Sequence, residues 1–170
     1  EAGGEGGNSP QQYDARVHLQ RRNQRDTAGK LYELPKPTLA ALPGPAAGAG
    51  LSLALSCDLR YASPNAIMTT AFARVGFSGD YGGTYFMSRL IGSAKARELY
   101  FLSERVDMVE AERLGLVNGV FPEESLQDDV HAIAKRLAEG PTVAYRYMKE
   151  NLNRAVSGEM GECLDMEATH

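Results

Sequence analysis

The stretch GPAAGAGLSLALSCDLRYAS, residues Gly44–Ser63, decides how this chain folds. Three glycines and a proline stand ahead of a short apolar run, which breaks into charge at Asp58 and Arg60. Glycine weakens helix and strand interiors, so a cluster of it marks a turn or a close approach to the backbone. Three glycine-loop chemistries do not fit. A phosphate-cradling loop needs a lysine after its last glycine, and none follows. A dinucleotide fingerprint beginning at Gly48 and Gly50 would need a third glycine where Leu53 stands. A nucleophile elbow around Ser52 is incomplete, because Ala54 occupies its second glycine position. Two readings remain. One is a tight turn that lets a helix pack on a strand. The other is an oxyanion site, where a strand ends and a buried helix begins, gathering free N–H groups at the positive end of a helix dipole.

The 170 residues are 43% hydrophobic and 24% charged, enough for one sizeable core. The formal charge of −4 gives no general attraction to nucleic acid or to an anionic membrane, so neither is expected as a partner. Cys57 and Cys163 read as reduced core thiols of a cytoplasmic protein. The uncharged run Thr38–Cys57 is interrupted by Pro43, Gly44, Pro45, Gly48 and Gly50. It therefore reads as strand, loop and helix in series, not as a membrane span. EAGGEGGNSP at the start lacks the basic and apolar regions of a secretory signal and reads as the remainder of a loop. GECLDMEATH at the end reads as a helix cut in mid-pattern, so a fragment is expected.

Ser9-Pro10 predicts a helix start, serine as cap and proline at the first position, with the helix running to about Glu33 before Pro35. Its Arg16, Arg21, Arg22 and Arg25, interleaved with Asp14 and Asp26, predict a solvated face. PTLAAL predicts a short buried strand and LSLALSC a short buried helix. DLRYAS and AIMTTA predict two more strands. Tyr81–Leu90 and Ser93–Ser103 predict helices separated at Gly92. Asp107 and Glu110 have capping-box spacing for a helix ended by Gly115, and LVNGVFP predicts a strand. Leu126, Val130, Ile133, Ala134 and Leu137 repeat at helical period, and a second such helix follows Pro141. Strands mixed with short helices, then helices alone, predict an α/β fold with a C-terminal helical region.

From residue 36 to residue 126 the chain resembles the enoyl-CoA hydratase/isomerase family, the crotonases. The GAG loop at Gly48–Gly50, the GGTYF helix start and the ERLGLVNGVFP segment follow that family's order and spacing. The resemblance implies a spiral of β-β-α turns lacking its N-terminal strands. It implies a crotonase-like core over residues 1–122 and a truncated helical trimerisation region over 123–170. It also implies acyl-CoA thioester substrates, with coenzyme A as part of the substrate and no separate cofactor, and a homotrimer or dimer of trimers. By position Ala49 matches the residue whose backbone N–H forms half of the family's oxyanion hole. Gly48, Gly50, Ser52, Phe72 and Val75 match its substrate-facing surroundings. The other oxyanion donor comes from an upstream A-G-x-D-type turn; AGGE at Ala2–Glu5 is only superficially similar, which places that donor upstream of residue 1.

Family hydratases use two glutamates, and here Ser52 and Phe72 occupy those positions. Neither side chain transfers a proton at neutral pH. The remaining carboxylate is Asp80, matching a position where some isomerases and a dehalogenase of the family carry a catalytic aspartate. A helix cap beginning near Tyr81 is the plainer role for it. Buried beside Phe72 and Val75, Asp80 would have its pKa raised toward the range of a general base. Tyr81 and Tyr85 are candidate hydrogen-bond partners, or packing residues. The favoured expectation is proton or double-bond transfer by Asp80 next to a thioester enolate held by Ala49. Enoyl-CoA hydration without the glutamates and a non-catalytic acyl-CoA-binding subunit are the alternatives. His18, His131 and His170 form no cluster with metal-ligand spacing, so no metal is expected.

Overall fold

The computed structural model describes residues 10–170. Ser9 and the Ala2–Glu5 turn lie outside the described residues. The first helical segment, α1 (Pro10–Gln24), buries none of its side chains, in line with a solvated arginine face. It widens into one π-helical turn, Arg25–Gly29, where Ala28 is buried, and closes as α2 (Lys30–Glu33) before Pro35.

The chain then winds in repeated turns. β1 (Leu39–Leu42) and β2 (Ala46–Ala47) lead into α3 (Gly48–Ser56). β3 (Leu59–Ala62) and β4 (Met68–Thr69) lead, through a 3₁₀ turn at Phe72–Val75, into α4 (Gly83–Ile91), α5 (Ser93–Leu102) and α6 (Met108–Leu114). β5 (Gly119–Val120) opens the next turn. The first strands of successive turns stack in parallel as β1-β3-β5, with Leu39 opposite Leu59 and Tyr61 opposite Gly119. The second strands stack as β2-β4, with Ala46 opposite Met68. This is the expected spiral of β-β-α turns. AIMTTA shortens to two paired residues, and Met68 makes one further antiparallel bridge with Val106.

Methionines fill the centre: Met68, Met87 and Met108 are at most 2% exposed, packed with Leu51, Leu55, Leu99 and Leu116. An unbranched thioether adapts to the irregular gaps that short elements leave. Polar residues bind the turns together. Asp58 accepts from the Thr38 amide (2.7 Å) and hydroxyl (2.8 Å), closing β1 onto β3. Arg60, 4% exposed, donates to the carbonyls of Leu116 and Cys57. The C-terminal region is α7 (Leu126–Ala138), α8 (Thr142–Ala155) and α9 (Met160–Thr169). α7 packs on β1 and β3. Lys149 of α8, 6% exposed, reaches Asp58 at 2.8 Å and the carbonyls of Leu31 and Lys36.

Two local expectations need correcting. Asp107 caps α6 by accepting from the Glu110 amide, but the Glu110 carboxylate turns to Arg113, so only half of a capping box forms. Cys57 and Cys163 are free and only half buried, because one ends α3 and the other sits on the outer helix α9.

Candidate active site

The glycine loop ends as an uncapped helix. Ala47 is extended (φ −130°) and offers α3 no side-chain cap, so the first-turn amides have no intrahelical acceptor. No turn or loop hydrogen bond among the described residues uses the Ala49 N–H. Gly48 is left-handed at φ +51°, a conformation few side chains tolerate. Gly50 is different: a Cβ there would meet nothing within 4 Å. The glycines turn the chain and leave space over bare amides; no protein atom crowds them.

Asp80 sits on a turn with unusual backbone on both sides. Gly79 (φ +119°), Tyr81 (φ +47°) and Gly82 (φ +74°) are all positive. For tyrosine such a conformation costs about 1–2 kcal/mol and must be held by its surroundings. The hold is Gln24, whose side-chain oxygen accepts from the Tyr81 amide at 2.7 Å across 57 positions of sequence. The turn is closed by the Gly83 amide donating to the Asp80 carbonyl.

The capping role for Asp80 is overturned. Gly82 is the cap residue of α4, no side chain caps it, and the Asp80 Oδ1 is buried without a hydrogen-bond partner. Burial pushes the carboxyl above the usual carboxylate range, the only cause found for its shift. Of the expected partners, Tyr81 contributes its backbone to Gln24. Tyr85 packs edge-on against Tyr32 and Phe86 under the Arg89 guanidinium.

Asp80 and the first turn of α3 are joined through two aromatic rings. Phe72, 5% exposed, lies against Gly48, which would place a Cβ 3.7 Å from its ring. Its other neighbour is Tyr100 of α5, stacked at 5.9 Å between centroids and 15° between planes. The Tyr100 hydroxyl meets Ser52, and Ser52 Oγ donates to the Gly48 carbonyl at 3.1 Å. Val75 does not contribute: it is 65% exposed, because the 3₁₀ turn points it outward. Tyr100 does the enclosing expected of Val75.

The remaining expected features fall elsewhere. His131 and His18 are on exposed helix faces, and His170 stacks on Tyr147. Among the described residues no group of three His, Cys, Asp or Glu side chains could hold a metal ion. No helix among them is long and apolar enough to cross a membrane. A concavity of about 800 Å³ runs beside α1, lined by His18, Arg21, Arg22 and Arg25, but it is one face of one exposed helix. A cavity of about 360 Å³ lies beside the Asp80 turn, with Thr84, Ala96, Tyr100 and Phe101 in its walls.

The bare first turn, the dry carboxylate and the spiral that brings them together can be set against known proteins. The family model described as enoyl-CoA hydratase/isomerase matches residues 2–170. The chain belongs to that family. A probable enoyl-CoA hydratase from Rhodobacter capsulatus is 36% identical over 138 residues, covering 81% of this chain and 54% of the relative. The 1,2-epoxyphenylacetyl-CoA isomerase of Escherichia coli is 35% identical over 138 residues, covering 81% and 53%. Among solved structures, a putative enoyl-CoA hydratase from Thermobifida fusca in complex with CoA superimposes with a TM-score of 0.88. It is 29% identical, with 99% of this chain and 65% of that chain covered. The chain thus spans about half the length of the curated relatives it matches. Within the family, members that are this similar carry different reaction names, so the chemistry has to be argued from the residues of this site.

Proposed function

We propose that this chain carries the proton-transfer half of an acyl-CoA enzyme that moves a double bond with a single aspartate. The observation that carries the reading is Asp80: a buried carboxylate oxygen with no hydrogen-bond partner, its acidity weakened by burial, joined through Tyr100 and Phe72 to an uncapped helix start. A carboxylate kept dry is a stronger base than one in water.

A β,γ-unsaturated acyl thioester would sit with its carbonyl oxygen at the Ala49 N–H. Asp80 takes the proton from the α-carbon, and the electron pair spreads onto the thioester oxygen as a dienolate. The Ala49 amide and the dipole of α3 stabilise that charge, a contribution of about 3–4 kcal/mol for one donor. The protonated Asp80 returns the proton at the γ-carbon, leaving the double bond between α and β. One carboxylate suffices, since the proton is lent and returned. The cavity beside the turn offers room for the acyl chain. Assembly as a homotrimer fits the exposed Val75, Phe77, Phe101 and Leu102, each at least 59% exposed.

Turnover of 3-enoyl-CoA to 2-enoyl-CoA is the test. It should collapse in Asp80→Ala; undiminished turnover removes the role. Hydration is the second reading, favoured by the name of the Rhodobacter capsulatus relative. Incorporation of solvent oxygen into the product would select hydration over isomerisation, and binding of CoA esters with no turnover would select a non-catalytic subunit.

A further inference from the structure

Gly79 and Gly83 stand on either side of Asp80, and one side chain accounts for both. A Cβ on Gly83 would collide with the Tyr100 hydroxyl and with Ser52 Oγ. A Cβ on Gly79 would lie 3.2 Å from Tyr100 Cε1 and 3.8 Å from the hydroxyl. The tyrosine therefore fills the cleft between the peptide that enters Asp80 and the peptide that leaves it. Its own place is set at the end of α5. The buried Ser103, in a left-handed conformation, accepts through its carbonyl from Thr69 Oγ1 (3.1 Å) and from Arg74 (2.8 Å). Thr70 adds a bond to the Leu99 carbonyl at 2.9 Å.

Proton bookkeeping at the hydroxyls is unambiguous. Ser52 donates its proton to the Gly48 carbonyl, so in the Tyr100–Ser52 contact the phenol is the donor. Tyr100 thus offers its proton to a serine while the buried oxygen of Asp80, one residue from the flanking Gly79, has none. We infer that Tyr100 is the positioning residue for Asp80, its ring placing the carboxylate and its hydroxyl turning from Ser52 to Asp80 when the carboxylate is charged. Its purpose rests on the reading of Asp80 as the proton carrier.

The surroundings favour this exchange. Burial, then the charge of Asp80, push the phenol up to about 12, so it keeps its proton across the range in which Asp80 titrates. From α3 the facing group is Ser52, and from α5 it is Tyr100 itself. From the 3₁₀ turn Arg74 is drawn off to Ser103, and from α1 the neutral Gln24 holds Tyr81. No charged side chain of the described residues adds to burial in shifting Asp80.

The experiment follows the Asp80 carboxyl carbon by carbon-13 NMR through a pH titration in wild type, Tyr100→Phe and Ser52→Ala. Phenylalanine keeps the ring and loses the donor, so the Asp80 pKa should rise by about one unit, the scale of a hydrogen bond to a charged group. Ser52→Ala removes the competing acceptor, so the pKa should fall. A purely structural tyrosine would leave the Phe variant unmoved, and that result, or shifts of the same sign in both variants, overturns the proposal. Should Tyr100→Phe fail to fold, Ser52→Ala decides alone: no shift or an upward one overturns it. The readout does not need turnover, so a chain that never isomerises an acyl thioester still reports whether the tyrosine holds the aspartate.

Discussion

A carboxylate that is useful as a base is a poor neighbour for its own fold. Burial raises the pKa of Asp80 above its value in the unfolded chain. Its contribution to stability is therefore fully present below the ordinary aspartate range and is lost as pH rises through the raised value. Asp80→Asn removes that pH dependence. Thermal unfolding of the two proteins should show Asn gaining on wild type as pH climbs through the window above ordinary aspartate values, while activity is lost. A difference that stays constant with pH would mean the carboxylate is not strained by burial. The sequence made Asp80 visible, because it is the one acid in a stretch otherwise small and aromatic. Tyr100 and Gln24 were not legible: they lie 20 and 56 positions from it, on helices whose patterns say only amphipathic or polar. A glycine pair at 79 and 83 is the signal that was available, since two cleared positions four apart imply something large between them.

At the scale of elements, the site depends on where α3, α4 and α5 are held, and Lys149 is part of that hold. Its ammonium is buried among Asp58 and two carbonyls, tying α8 to α2 and to the entry of β1. Lys149→Ala should cost about 2–3 kcal/mol in denaturant unfolding, the lower part of what a broken buried pair costs, since Thr38 still holds Asp58. A loss under about 1 kcal/mol, the scale of a surface pair, would contradict the tie. Most elements were readable in the chain because capping residues, prolines and glycines punctuate it. Asp107 and Gly115 frame α6, and Pro35 and Pro43 frame β1. The boundary at Tyr81 was misread because its helical pattern continues back into a turn with positive φ, which Gln24 stabilises from far away. Val75 was misread because a 3₁₀ turn, not a strand, carries it, and the facing direction changes with the period.

At the scale of the whole molecule, apolar side chains gather where α5 ends and the 3₁₀ turn begins. Phe101 is 73% exposed, Phe77 69% and Val75 65%. Exposed apolar surface of this kind marks an interaction face. If the face joins copies of this protein, sedimentation should give a trimer for wild type and a smaller species for Phe101→Ser; a monomer in both would remove self-association from the account. The spiral itself was legible through the glycine loop and the ERLGLVNGVFP segment, which occur in the family's order. The chain covers about half of its curated relatives, so the partner to the Ala49 amide in holding a thioester oxygen is a matter for the whole protein. The most direct measurement is deuterium exchange from heavy water into the acyl α- and γ-carbons of an unsaturated CoA thioester, followed by mass spectrometry. Wild type should place label at both carbons and Asp80→Ala at neither; equal labelling by the two proteins would show that some other group moves the proton.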